Sequence, residues 1–100
     1  MPTRNHEFLD EARAEQRHAQ TWYEIRSLKV AERFVAEIER GIRAIIKEPQ
    51  RWPRYGRRVR YFRLRRFPYL IIYRFDETTV TVIAFAHTSR RPGYWRKRLR

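Results

Sequence analysis

Apolar residues recur at three- and four-residue spacings in the first half of the chain, as they do along the buried face of a helix. The first such stripe consists of Leu9, Ala12, Ala19, Trp22 and Tyr23. Charged residues separate these positions, which predicts a helix from about Asp10 to Arg26. The acidic residues at its start and along its polar side are interpreted as exposed charges that suit the helix dipole. They are Glu7, Asp10, Glu11 and Glu15.

A second and more regular apolar stripe runs from Ala31 to Ile46, and Pro49 is expected to end this helix. Only Ser27 and Leu28 separate the two patterns. So short a connection predicts an antiparallel helical hairpin. A short strand around Thr3 to Phe8, ahead of the first helix, is considered as a further element.

After the second helix the pattern changes to a loop, QRWPRYGRR (50–58), and three strand-like runs. The runs are VRYFRLRRF (59–67), YLIIYRFD (69–76) and TTVTVIAFAH (78–87). The links between them are short, which predicts an antiparallel meander. The middle run is apolar at odd and even positions alike, so it is expected to be the central strand.

Alternation along the strands assigns their side chains to two faces of the sheet. If Phe62 and Leu64 face the helices, an open face remains that carries Tyr61, Arg63, Arg65, Leu70, Ile72 and Arg74, while Tyr69, Ile71 and Tyr73 point to the core. The predicted fold class is α+β. An N-terminal antiparallel helical hairpin packs on one face of a small twisted antiparallel sheet of three to four strands, followed by a C-terminal tail, in a single domain over residues 1–100.

Length and composition limit the function classes. One hundred residues can bury one modest core. There is no cysteine, which removes disulfides and thiolate chemistry, and His6 and His18 lack partners at metal-binding spacings. We therefore predict no metal and no cofactor. No apolar run approaches the roughly 18 residues of a membrane span, and no secretory signal is evident, so we expect a cytoplasmic protein without a membrane partner.

The net charge of +13 is unevenly placed. Residues 1–50 hold nine basic and nine acidic residues, whereas residues 51–100 hold fifteen basic and two acidic ones. Arginine-rich usage can reflect genome composition, but that does not explain the imbalance between the halves. The imbalance favours an anionic partner, and arginine, which supplies 21 of the 24 basic residues, suits phosphate and carboxylate.

The segment from Arg51 to Arg66 concentrates this charge. It holds eight arginines, no acid, and interleaved aromatic residues. This is the composition of surfaces that hold phosphates and stack bases. Alternatively, it is an edge strand that charge protects from aggregation, and both interpretations can hold together.

The stretch HTSRRPGYW (87–95) carries the candidate chemistry. His87 could act as a general acid or base, with Arg90, Arg91 and Tyr94 holding a phosphate or a leaving oxygen, as in a metal-free ribonuclease. The alternative is structural: His87 is a hydrogen-bonded residue at a strand end, and Tyr94 with Trp95 clamps the tail onto the sheet.

The order of these segments resembles the RelE/ParE superfamily of type II toxin–antitoxin toxins, often labelled plasmid stabilisation proteins. The resemblance covers about residues 8–96 and rests on WYEIRSLKVAERFVAEIERGIRAIIKEPQRWP, RFPYLIIYRF and VTVIAFAHTSRRPGYW. It implies a helical hairpin on one face of a small antiparallel sheet, in agreement with the pattern analysis.

The superfamily has two functional branches. RelE-like members cleave messenger RNA in the ribosomal A site with basic residues on the open sheet face and a C-terminal tyrosine or histidine, whereas ParE-like members poison DNA gyrase. Leu70 stands where RelE-like nucleases carry an arginine, and FPYLIIY and AHTSRRPGYW resemble the ParE branch.

Three hypotheses result. The first is a ParE-like toxin that causes growth arrest by poisoning DNA gyrase or a gyrase–DNA complex and is neutralised by a cognate antitoxin. Its target-binding candidates are Arg60, Arg63, Arg65, Arg74, His87, Arg90, Arg91, Tyr94 and Trp95. The second is a metal-independent endoribonuclease acting on ribosome-bound messenger RNA through Arg63, Arg74, His87 and Tyr94. The third is a non-toxic basic binding module.

Overall fold

Four strands and two helices follow one another in the computed structural model, which describes residues 4–99. The elements are β1 (Asn5–Phe8), α1 (Asp10–Arg26), α2 (Leu28–Lys47), β2 (Arg60–Arg63), β3 (Tyr69–Phe75), β4 (Thr79–His87) and a short 3-10 helix (Arg96–Leu99). The predicted bounds of α1 are confirmed. The strand considered ahead of it is also present, although Thr3 lies outside the described residues.

The helical hairpin turns at Ser27, the single residue between α1 and α2. Its hydroxyl accepts a hydrogen bond from the Val30 N–H at 3.2 Å and so caps the start of α2. The second helix ends two residues before Pro49, as predicted. Within the described residues, neither helix combines the length and the apolar character needed to cross a membrane.

The strands form one sheet in the order β1-β4-β3-β2. The pairs β2–β3 and β3–β4 are antiparallel, as predicted, but β1 pairs with β4 in parallel, from Asn5 opposite Thr79 to Phe8 opposite Val82. The wholly antiparallel sheet was therefore wrong at one edge. The two helices lead from β1 at one edge of the sheet to β2 at the other edge, and β3 and β4 then follow back towards β1. This long connection between β1 and β4 permits their parallel pairing.

The first predicted strand run is shorter in the structure. Pairing of β2 ends at Arg63, and the chain turns before Pro68, with Arg66 at a positive φ of 64°. Arg65 is exposed in this turn, so its predicted place on a strand face was wrong. Pro68 cannot donate a backbone hydrogen bond, which suits a turn better than a continuing strand.

The helices cover one face of the sheet, which we call the helix-side face. Its cluster contains Phe34, Ile38 and Ile45 of α2 packed with Ile71 and Tyr73 of β3. The helix lies so close to the sheet at Gly41 that an added Cβ would stand 3.0 Å from side-chain atoms of Ile71 and Phe62. Glycine therefore sets the distance between α2 and the sheet.

Candidate functional site

The C-terminal tail covers the opposite face of the sheet, which we call the tail-side face. Trp95 is only 2% exposed and packs in a cluster with Ile72, Ala84 and Ala86. Gly93, with a positive φ of 81°, bends the chain just before it. The face predicted to be open is therefore covered at its centre, because small alanine side chains leave room for the indole ring.

Glu15 of α1 holds this tail in place. Its carboxylate accepts hydrogen bonds from the Tyr94 hydroxyl at 2.5 Å and from two nitrogens of Arg98 at 2.8 and 3.2 Å. Arg98 also donates to the Ile83 carbonyl oxygen at 3.1 Å, and the Phe85 N–H donates to Glu15 at 3.1 Å. We call these groups the Glu15 network.

The Glu15 network completes an unpaired strand edge. The pairing of β1 with β4 stops at Val82, so the backbone groups of β4 beyond it need other partners. Arg98 supplies a partner for the Ile83 carbonyl, and Glu15 supplies one for the Phe85 N–H. The interpretation of Glu15 as an exposed charge was wrong, and its position between Ala12 and Ala19, at helical spacing on the buried side of α1, is the signal that could have revealed it.

Tyr94 is bound in a way that limits its chemistry. Burial, and then its hydrogen bond to the Glu15 carboxylate, raise the pKa of the Tyr94 hydroxyl. The hydroxyl keeps its proton and donates a hydrogen bond to the Glu15 carboxylate, so it is engaged within the protein. The Arg90 guanidinium lies over the Tyr94 ring, 3.9 Å from its centroid, and Arg91 is exposed beside it.

His87 lies at the end of β4 on the helix-side face, because it pairs with Tyr69. Its Nδ1 accepts a hydrogen bond from the Ser89 N–H at 3.0 Å and lies 2.7 Å from the Ser89 hydroxyl. The neutral ring therefore carries its proton on Nε2. The His87 and Tyr69 rings meet edge to face, with their centroids 5.1 Å apart.

The four residues of the nuclease hypothesis do not come together. Arg63 pairs with Leu70 and shares the tail-side face, whereas His87 points to the other side of the sheet. Arg74 stands at the opposite end of β3, about 13 Å from Leu70 along the strand. Ile72 lies between these two positions in the cluster covered by Trp95.

A large basic groove opens beside the tail on the tail-side face. Its volume is about 1220 Å³, and it lies between the 54–60 loop, the end of β3 and the 3-10 helix. It is lined by six arginines, Arg54, Arg57, Arg58, Arg60, Arg74 and Arg96, and by Tyr55, Gly56, Val59, Phe75, Trp95 and Leu99. We call this the basic groove.

The loop that carries three of these arginines is fixed by its backbone and by aromatic packing. The Tyr55 N–H donates to the Val59 carbonyl at 2.7 Å, and the Tyr61 N–H donates to the Pro53 carbonyl at 3.0 Å. The Tyr55 ring meets Trp95 edge to face at 5.4 Å. At the tip, Gly56 has a positive φ of 90°, which favours glycine.

The structure thus divides the nine target-binding candidates. Arg60, Arg74 and Trp95 line the basic groove, although the Arg60 guanidinium already donates to the Trp52 carbonyl at 2.7 Å. The others lie outside its lining. Four of the groove arginines were not among the candidates predicted from the sequence. Three of them, Arg54, Arg57 and Arg58, belong to the basic segment from Arg51 to Arg66. No sequence pattern indicated that the fourth, Arg96, would contribute to a binding site.

Comparison with known proteins identifies the class. The sequence model of a family described as "ParE toxin of type II toxin-antitoxin system, parDE" matches residues 7–92. The chain therefore belongs to the ParE toxin family. A chain from a solved structure of the chromosomal ParDE toxin–antitoxin system of P. aeruginosa has a similar fold, with a TM-score of 0.71 at 16% identity over 87% of this chain and 98% of that one. No curated protein matches significantly.

Proposed function

We propose that this ParE-family toxin blocks replication by poisoning DNA gyrase or a gyrase–DNA complex, and that a cognate antitoxin neutralises it. The observation that supports action by binding is the covered centre of the tail-side face, where Trp95 packs over Ile72. We accordingly propose that the toxin acts in the cytoplasm, where these targets are found.

Nuclease chemistry makes demands that this arrangement does not favour. A metal-free ribonuclease must activate a 2′-hydroxyl, stabilise the phosphate and protonate the leaving oxygen, with all groups in hydrogen-bond reach of one site. Here the Tyr94 hydroxyl donates its hydrogen bond to Glu15, and His87 and Arg63 are on opposite sides of the sheet. A docking surface needs no such convergence.

An antitoxin would find both apolar and charged surface. Trp22, Ile25 and Leu28 are exposed at the turn of the helical hairpin. A second groove, of about 370 Å³, is lined by residues of β1, α1 and α2, among them Phe8 and Ile42. We infer an antitoxin whose acidic C-terminal segment folds on binding and wraps the hairpin and sheet.

Co-expression with the adjacent gene, followed by pull-down at increasing salt, tests the antitoxin proposal. We expect a complex whose affinity is only partly reduced by salt, because apolar contacts are not screened. Absence of a complex, or of a small neighbouring gene, would count against the proposal.

The target is tested by induction in a bacterial host, with transcript-end mapping beside a gyrase supercoiling assay. We expect growth arrest with filamentation and DNA damage, loss of supercoiling activity, and intact ribosome-bound messenger RNA. Codon-phased cleavage that disappears in His87→Ala, with gyrase unaffected, would establish the nuclease instead. Normal growth of a host that accumulates folded protein would favour the non-toxic binding module.

A further inference from the structure

We propose that the basic groove is a binding site for the phosphate backbone of duplex DNA. This inference rests on the proposed function, because the DNA that we expect the groove to meet is the duplex held in a gyrase complex. DNA binding itself can be measured without gyrase. The proposal is carried by three properties of the groove: uncompensated charge, a fixed loop and aromatic side chains that are already packed.

The groove arginines lack acidic partners within the described residues. Among the described residues, each ion pair with nitrogen and oxygen within 4.0 Å involves an arginine outside the groove. These arginines are Arg40, Arg43, Arg51 and Arg98. Six like charges around one groove repel each other and raise the local potential. An anion with several charges, spaced as along a nucleic acid backbone, would relieve that repulsion.

The loop presents its arginines in a fixed place. Two backbone hydrogen bonds close the segment from Pro53 to Tyr61, which puts Arg57 and Arg58 at its tip. A guanidinium offers paired N–H donors that match two phosphate oxygens, and a fixed loop loses little conformational entropy on binding. Arg74 of β3 contributes from the sheet side of the groove.

The aromatic residues of the groove favour a duplex over a single strand. Binding of single strands relies on bases stacking on exposed aromatic faces. Here Trp95 is buried, Tyr55 packs edge to face against both Trp95 and Tyr61, and the Arg4 guanidinium lies over the Phe75 ring, 5.5 Å from its centroid. The groove therefore offers charge without a stacking platform, which is the requirement for sequence-independent contact with a duplex backbone.

The test is fluorescence anisotropy of a labelled DNA duplex titrated with the full chain at several salt concentrations. The double variant Arg57→Gln/Arg74→Gln should bind at least tenfold more weakly, with a salt slope smaller by about 1.8, as expected for two lost phosphate contacts. The control Arg17→Gln/Arg33→Gln removes the same charge from exposed helix positions and should change affinity less than threefold.

Three results would overturn the proposal. They are equal losses in the two double variants, no binding by the wild type at low salt, and competition by polyglutamate as strong as by unlabelled duplex. Circular dichroism checks that each variant is folded. If Arg57→Gln/Arg74→Gln unfolds, the double variant Arg58→Gln/Arg96→Gln is used in its place. Tighter binding of the matching single strand would also contradict the duplex assignment.

Gyrase inhibition is scored separately, so the two proposals can fail independently. DNA binding by a wild type that leaves gyrase unaffected would overturn the proposed target and support the groove. Conversely, gyrase poisoning that persists when the groove variant no longer binds DNA would show that the groove is not the contact used in the gyrase complex.

Discussion

The two faces of the sheet are stabilised in different ways. On the helix-side face, Phe34 of α2 lies against the rings of Tyr23, Phe67, Tyr69 and Phe85, with centroids 4.8 to 5.7 Å apart. On the tail-side face, a smaller cluster depends on Trp95 and on the Glu15 network at its edge. Apolar contacts are shared among many residues on the first face and concentrated in a few on the second.

The faces also differ in charge. The residues that form the helical hairpin belong to the electrically balanced half of the chain, whereas the tail-side face carries the arginines of the basic groove. The tail that covers this face also contributes Trp95 and Arg96 to the groove. Stability and the proposed DNA binding therefore both depend on the tail, and single substitutions can separate the two contributions.

The largest effect is expected from Trp95→Ala. Removal of this buried indole should lower the free energy of unfolding by about 3–5 kcal/mol, because it leaves a cavity in the cluster that contains Ile72, Ala84 and Ala86. Urea denaturation measures the change, with Trp22→Ala as control, since Trp22 is 48% exposed. A loss below about 1 kcal/mol would mean that the tail is not docked as described.

Glu15→Gln should have the next largest effect. The substitution leaves Arg98, itself poorly exposed, without its carboxylate and weakens the hydrogen bond from Tyr94, so we expect a loss of about 2–4 kcal/mol. Glu24→Gln, at an exposed position of the same helix, is the matched control. Equal stability of the two variants in urea would contradict the structural role of the Glu15 network.

Alkaline pH should destabilise the protein through a tyrosine on each face. Burial raises the pKa of Tyr73, whose hydroxyl donates to the Pro49 carbonyl at 2.6 Å, to about 12, and burial also raises the pKa of Tyr94. The folded chain holds these protons more tightly than the unfolded chain. The stability that these two hydroxyls contribute is therefore fully present below about pH 10, and the Tyr73 contribution is lost as the pH rises through about 12.

Phenylalanine variants separate the two contributions. Tyr73→Phe should cost about 1 kcal/mol at neutral pH through the lost hydrogen bond, yet give a shallower decline above pH 10. Tyr94→Phe tests the tail-side face in the same way. Thermal unfolding followed from pH 8 to 12 measures both, and an unchanged alkaline slope in both variants would refute the assignment.

The smallest stability effects are expected at Arg90 and Arg91. Arg91→Ala should change the free energy of unfolding by less than about 0.5 kcal/mol, and Arg90→Ala by at most about 1 kcal/mol through loss of its stacking on Tyr94. Growth arrest should nevertheless weaken in both. A large drop in melting temperature would show that these arginines stabilise the tail.

Local pattern determined the helical hairpin and the antiparallel meander. Helical periodicity and the short connection at Ser27 predicted α1 and α2, and alternation predicted which side chains of β3 face the helices. The sequence also showed which half of the chain carries the excess charge, and its motifs indicated the resemblance to the toxin superfamily. These properties depend on residues close together in the sequence, so they could be recognised before the structure.

Only the tertiary structure decided what lies far apart in sequence. Glu15 and Arg98 are 83 positions apart, and no periodicity relates them. The parallel pairing of β1 with β4, the docking of Trp95 on the tail-side face and the meeting of Arg57, Arg74 and Arg96 in one groove are of the same kind. The chain alone specifies them too, but through packing and hydrogen-bond satisfaction summed over the whole fold, which local patterns do not record.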